Sequence, residues 1–165
     1  MHTYKIVLFL CCLQLSLVAQ QKQSDVSIMF NSPSFKNKMY YMAGYYGKYT
    51  TLLDSAKATN SGQLLFENTK KYIEGIYMLV DEDKNIVTEF IMDTNQQYSI
   101  SLNLANPEKN IVLNSETNTR FFEFNALLKQ NNQQKQKLVK QLAQTTSEKD
   151  IKNIKRKIRT LNITI

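Results

Sequence analysis

Apolar residues recur with a period of two between residues 25 and 114, and the period lengthens to that of a helix after Ser115. Val26, Ile28 and Phe30 fall on alternate positions until Asn31-Ser32-Pro33-Ser34 interrupts them. An aromatic run from Met39 to Tyr46 ends around Gly44 and Gly47. Leu52 to Ala58 precedes the turn Asn60-Ser61-Gly62 and Gln63 to Glu67 follows it, an order that suits a hairpin with glycine in the unusual dihedrals. Gly75 to Val80 and Ile86 to Met92 flank a polar loop, Asp81-Glu82-Asp83-Lys84-Asn85. Tyr98, Ile100, Leu102 and Leu104 then alternate before Asn106-Pro107, and Ile111 to Leu113 closes the set. Seven to eight short strands at this spacing predict a mainly β fold, an antiparallel β-sandwich or open barrel.

Ser115-Glu116-Thr117-Asn118 carries N-capping residues, and Phe121, Phe124 and Leu128 follow at helical spacing. The helix is expected to continue to Gln144, with the wholly polar stretch Gln130 to Lys137 in solvent. Thr145-Thr146-Ser147 marks a break, and Ser147 caps a second helix with Asp150 in its first turn. Ile151, Ile154, Ile158 and Leu161 form an apolar stripe that must cover something. The chain thus divides into a leader (1–20), a β domain (21–114) and a C-terminal helical hairpin (115–165). Candidate cover for the stripe is the first helix, through Leu138 and Leu142, a face of the sheet, or a docked partner.

The leader reads as a secretory signal. Lys5 is its positive end, Ile6 to Val18 is mostly apolar, and Ala19 precedes an expected cut before Gln20 or Gln21. That run is shorter than the about 20 apolar residues needed to span a bilayer. Cys11 and Cys12 follow Phe9 and Leu10, not the small residues a lipoprotein site wants. The expected location is therefore the periplasm or cell envelope. The only two cysteines and the only histidine, His2, all lie in the leader. A processed chain would then lack a disulfide, a thiolate ligand and a neutral-pH imidazole base, which removes Ser-His-Asp, Cys-His and zinc-hydrolase chemistry. No cofactor, metal site or catalytic residue is expected.

Charge is uneven. From Gln21 to Leu128 there are 12 Asp and Glu against 10 Lys and Arg, whereas Lys129 to Ile165 has 2 against 10. The basic helices would suit a membrane surface or another polyanion, or form a solvated face.

Several remaining clusters have a plain structural reading. Asp81, Asp83 and Asn85 match the first positions of a calcium loop, but Ile86 stands where glycine is required and Met92 where glutamate is. Asp54-Ser55 lacks a histidine and reads as structural. Lysines and tyrosines interleave from Lys36 to Tyr49, as in single-strand nucleic-acid binders, yet tyrosines packing across strands explain the pattern and export argues against nucleic acid.

The order Tyr45-Tyr46-Gly47, Leu53-Asp54-Ser55-Ala56, a Gly62/Phe66 hairpin, Gly75-Ile76-Tyr77, Phe90-Ile91 and Ser115-Glu116-Thr117-Asn118 with Phe121-Phe122 resembles a known arrangement. It is similar to the β-rich N-terminal domain that precedes a thioredoxin-like domain, of TlpA or AhpC/TSA type, in envelope thiol–disulfide oxidoreductases of Gram-negative bacteria. The resemblance covers about Asp25 to Ile165. It implies a secreted, non-catalytic accessory or interaction module whose partner is a protein or a downstream thioredoxin-like domain. Two alternatives stand beside it: a fragment of a full-length oxidoreductase, and a binder of a polyanion, anionic lipid or peptide.

Overall fold

A computed structural model describes residues 24–163, so the expected cut at Ala19 and Gln20 lies outside the described residues. Eight strands form two four-stranded sheets: β1 (Val26–Asn31), β2 (Met39–Tyr46), β3 (Tyr49–Lys57), β4 (Gln63–Asn68), β5 (Gly75–Val80), β6 (Ile86–Met92), β7 (Gln97–Ser101) and β8 (Ile111–Leu113). One sheet has the order β4-β1-β7-β8 and the other β3-β2-β5-β6. Two helices follow, α1 (Glu116–Gln144) and α2 (Glu148–Ile163). The mainly β sandwich with a helical hairpin is thus the observed fold.

The period-two residues become its core. Val26, Ile28, Phe30, Leu64, Phe66, Tyr98 and Ile100 of the first sheet meet Tyr40, Met42, Tyr77, Leu79, Phe90 and Met92 of the second in one buried cluster. Phe30 sits at the junction, edge-on to Phe66 and to Phe90 with centroids 6.2 and 5.1 Å away. One pair departs from antiparallel order: β1 and β7 run parallel, Ile28 opposite Tyr98 and Phe30 opposite Ile100. No hairpin joins these strands, because the chain visits the whole second sheet between them, so turn geometry does not impose an antiparallel pairing.

The aromatic strand runs from Met39 to Tyr46, the bounds its residues predict, and Gly47 takes the positive φ (59°) required at the first position of a tight hairpin turn. Gly62 has a φ of 84°, and a Cβ there would lie 2.0 Å from the Ser32 carbonyl oxygen, so this turn and the exit of β1 close against each other.

Helix α1 seals one side of the sandwich. Its N-cap, Ser115, accepts from the Asn118 backbone N–H (3.2 Å) and from Asn118 Nδ2 (3.0 Å). The fully buried Asn118 amide then behaves like one residue of an added strand. Its Oδ1 accepts from Ile91 N–H and its Nδ2 donates to the Ile91 carbonyl, both at 2.7 Å. The edge of β6 is satisfied there by a side chain.

The distal half of α1 pairs with α2. Ile151, Ile154, Ile158 and Leu161 are half-buried on the face toward α1, where Leu138 is buried and Leu142 half-buried. The expectation that Gln130 to Lys137 is wholly in solvent fails at Asn131. It is only 8% exposed, and its Nδ2 has no hydrogen-bond partner among the described residues. Asn131, Leu138 and Leu142 share a helical face, and that spacing turns Asn131 into the seam despite its polarity.

Candidate functional site: an apolar groove beside a free strand edge

The β2–β3 hairpin and the loop between β4 and β5 enclose a groove of about 710 Å³. A β-bulge builds one wall: Met42 pairs with Asp54 and Ala43 with Leu52, leaving Leu53 as the extra residue of β3. The floor is Gly44, where a Cβ would approach Leu53 Cδ1 to 3.0 Å and the Tyr77 ring to 3.5 Å. The absent side chain is what holds the groove open.

The opposite wall is a loop pinned by its backbone. The buried Gln96 side chain accepts from Tyr72 N–H (2.8 Å) and donates to the Tyr72 carbonyl (2.9 Å). The Tyr72 hydroxyl donates to Asp54 Oδ2 at 2.6 Å, and the Tyr77 hydroxyl donates to the Ile73 carbonyl at 2.7 Å. Ile73 is consequently held in place while its side chain is 82% exposed. Leu52, Leu53, Ile76 and Tyr45 are also exposed nearby. An apolar cluster displayed on a fixed backbone is a recognition feature more than a packing one.

Two strand edges, β6 and β8, lie against α1. Among the described residues the edges β3 and β4 each pair with one strand, so their outer N–H and C=O groups are unpaired by any strand; Thr51 and Leu53 of β3 line the groove. A second cleft, of about 840 Å³, lies between residues 105–112 and α1, beside the Lys129–Glu108 ion pair at 4.0 Å. It borders an edge that the helix already covers.

Burial pushes the Tyr72 hydroxyl up to about 12, with the Asp54 contact acting in the same direction. The folded state therefore keeps a proton that the unfolded chain releases. Stability present below the ordinary value of 10.0 is expected to fall as pH rises toward about 12. Burial raises Tyr77 and Tyr98 as well, adding to the same slope. Tyr72→Phe should flatten part of this alkaline loss, measured by urea unfolding below and within the window. An unchanged slope would show that the Tyr72 hydroxyl is not buried and held protonated in the folded chain.

The clusters singled out in the sequence fall elsewhere or into supporting roles. Asp54 takes the Tyr72 hydroxyl and also accepts from Ser55 N–H, so it braces the groove loop. Asp81 accepts from Asn85 N–H and Nδ2 within its own hairpin, and the former bond leads in holding its carboxyl below the usual range. Of the interleaved tyrosines, Tyr40 is in the core against Phe35, Tyr45 donates to Glu89 at 3.0 Å, and Tyr49 lies under the Lys48 ammonium at 5.3 Å. Ile151, Ile154, Ile158 and Leu161 lie in the helical seam, away from the groove. No group of three or more His, Cys, Asp or Glu side chains that could hold a metal occurs among the described residues. Tyr45, Leu53, Gly75, Ile76 and Tyr77 stand in the motifs that carry the resemblance, but no pattern marks them as a groove: Gly44 reads with Gly47 as the end of the aromatic run, and Leu53 as an ordinary strand residue.

No protein-family model matches the chain, and no curated protein does. Among solved structures it is similar to one described as a crystal structure of (S)-allantoin synthase, at 10% identity and a TM-score of 0.35. That alignment covers 49% of this chain and 41% of the other.

Proposed function

We propose that this chain is an exported, non-catalytic interaction module that receives an extended protein segment. This agrees with the accessory role implied by its resemblance to the N-terminal domain of envelope thiol–disulfide oxidoreductases, where the partner would be a protein or thioredoxin-like domain. The observation that carries the reading is the groove of Gly44, Leu53, Ile73 and Tyr77 beside the unpaired edge of β3. An added strand would bond to that edge, and its alternate side chains would settle against Leu53 and Ile73.

Peptides selected from a random library on the immobilised chain test the proposal. They are expected to carry apolar residues at alternate positions. Ile73→Asp should weaken their binding by about tenfold or more, the effect of removing a central apolar anchor. Ile111→Asp, an exposed site on β8, should leave binding within about twofold, as surface changes outside a contact do. Equal losses for the two variants, or none at Ile73, would rule the groove out.

A further inference from the structure

The helical hairpin carries a charge distribution that the groove does not use. With Ile151, Ile154, Ile158 and Leu161 turned to α1, the helical period places Lys149, Lys152, Lys155, Arg156 and Arg159 on the far side, within an arc of about 120°. All five side chains are exposed, and none forms an ion pair with an acidic side chain among the described residues. The exposed Glu148 opens the same arc at the first position of the helix, and from Lys149 to Arg159 the arc contains no acidic and no apolar residue. The charge is also segregated along the chain: 10 basic against 2 acidic residues from Lys129 onward, and 10 against 12 from Gln21 to Leu128.

We propose that this cationic face of α2 lies on an anionic lipid surface, a peripheral attachment independent of the groove. The charge complementarity is one-sided and spread over about 15 Å of helix. A specific protein interface is built around buried apolar or aromatic anchors, and from Lys149 to Arg159 this face has none. Five solvated cations on flexible stems instead match mobile anionic headgroups, which rearrange to meet them. The apolar stripe is committed to the α1 seam, so the helix rests on the headgroups without inserting. The slight acidity of residues 21–128 holds the β domain, with its groove, away from the surface.

Co-sedimentation of the full chain with lipid vesicles tests this. Residues Ile6 to Val18 are mostly apolar and would associate with any bilayer, so the readout is the excess binding to phosphatidylglycerol vesicles over phosphatidylcholine vesicles. That excess should be present at low salt and vanish at high salt. The triple variant Lys152→Gln, Lys155→Gln, Arg159→Gln should lower it by about 100-fold, from about fivefold per cation near the surface. The triple variant Lys36→Gln, Lys57→Gln, Lys70→Gln removes the same net charge from the β domain and should lower it by less than about threefold, since distant charges are screened. Circular dichroism should show both variants folded. Equal losses in the two variants would reduce the effect to net charge and overturn the proposal. So would no preference for phosphatidylglycerol, or binding to heparin or polyglutamate with none to vesicles.

Discussion

Ile100→Asp is expected to lower the melting temperature by about 10 °C or more. Ile100 is fully buried in β7, opposite Phe30 on one side and Val112 on the other. The substitution removes a complete apolar side chain and leaves a carboxylate with no cation near it in the core. Cavity and burial terms together cost about 4 kcal/mol or more. Against a typical total of about 5–15 kcal/mol, that is a large part of the stability. Asp83→Ala, on the exposed tip between β5 and β6, should stay within about 0.5 kcal/mol. Paired thermal melts of the two variants decide the point, and similar melting temperatures would mean that the strand register is wrong.

The second large effect is expected at a polar residue. Asn118→Ala takes away the partner of the Ile91 N–H, one of the two donors to the Ile91 carbonyl (the Tyr98 hydroxyl, at 3.2 Å, stays) and the contact with Ser115 Oγ. The Ile91 N–H then stays under α1 with nothing to replace the amide oxygen, and the carbonyl keeps only the Tyr98 hydroxyl. The orphaned N–H costs about 1–3 kcal/mol and the lost bonds of the amide nitrogen about 1 kcal/mol more, so a loss of about 2–4 kcal/mol is expected. For a chain of this size that is a fall in Tm of roughly 5–15 °C. Asn118→Asp keeps the volume and the acceptor but not the donor, and should not restore stability. A change below about 0.5 kcal/mol in either variant would show that water or a shifted helix satisfies β6 instead.

These two sites differ in how they could be read. Ile100 belongs to an alternation that spans one strand, and such periodicity is local, so the sandwich and the β8 boundaries were legible along the chain. Ser115 and the helix behind it were legible for the same reason, since a cap acts within one turn. Asn118 was visible only as part of a capping motif. Its bond to Ile91 joins residues 27 positions apart, and no local pattern encodes that distance. The groove was hidden for the same cause. Leu53 becomes a wall only because the β2–β3 register slips by one residue, and Ile73 becomes a fixed display only through Gln96. Asn131 shows the opposite failure: a polar residue in a polar run is buried because its neighbours on the helical face are apolar. The parallel β1–β7 pair was missed because alternation identifies strands and says nothing of their direction.

Backbone hydrogen exchange on the chain, with and without a peptide selected on it, tests the central claim most directly. If an extended segment adds to the free edge, amides of Tyr49 to Lys57 should slow on binding, together with those of the loop around Ile73 to Gly75. Exchange in β7, β8 and the helical hairpin should not change. Protection confined to the cleft beside α1, or binding without any slowing in β3, would contradict the account.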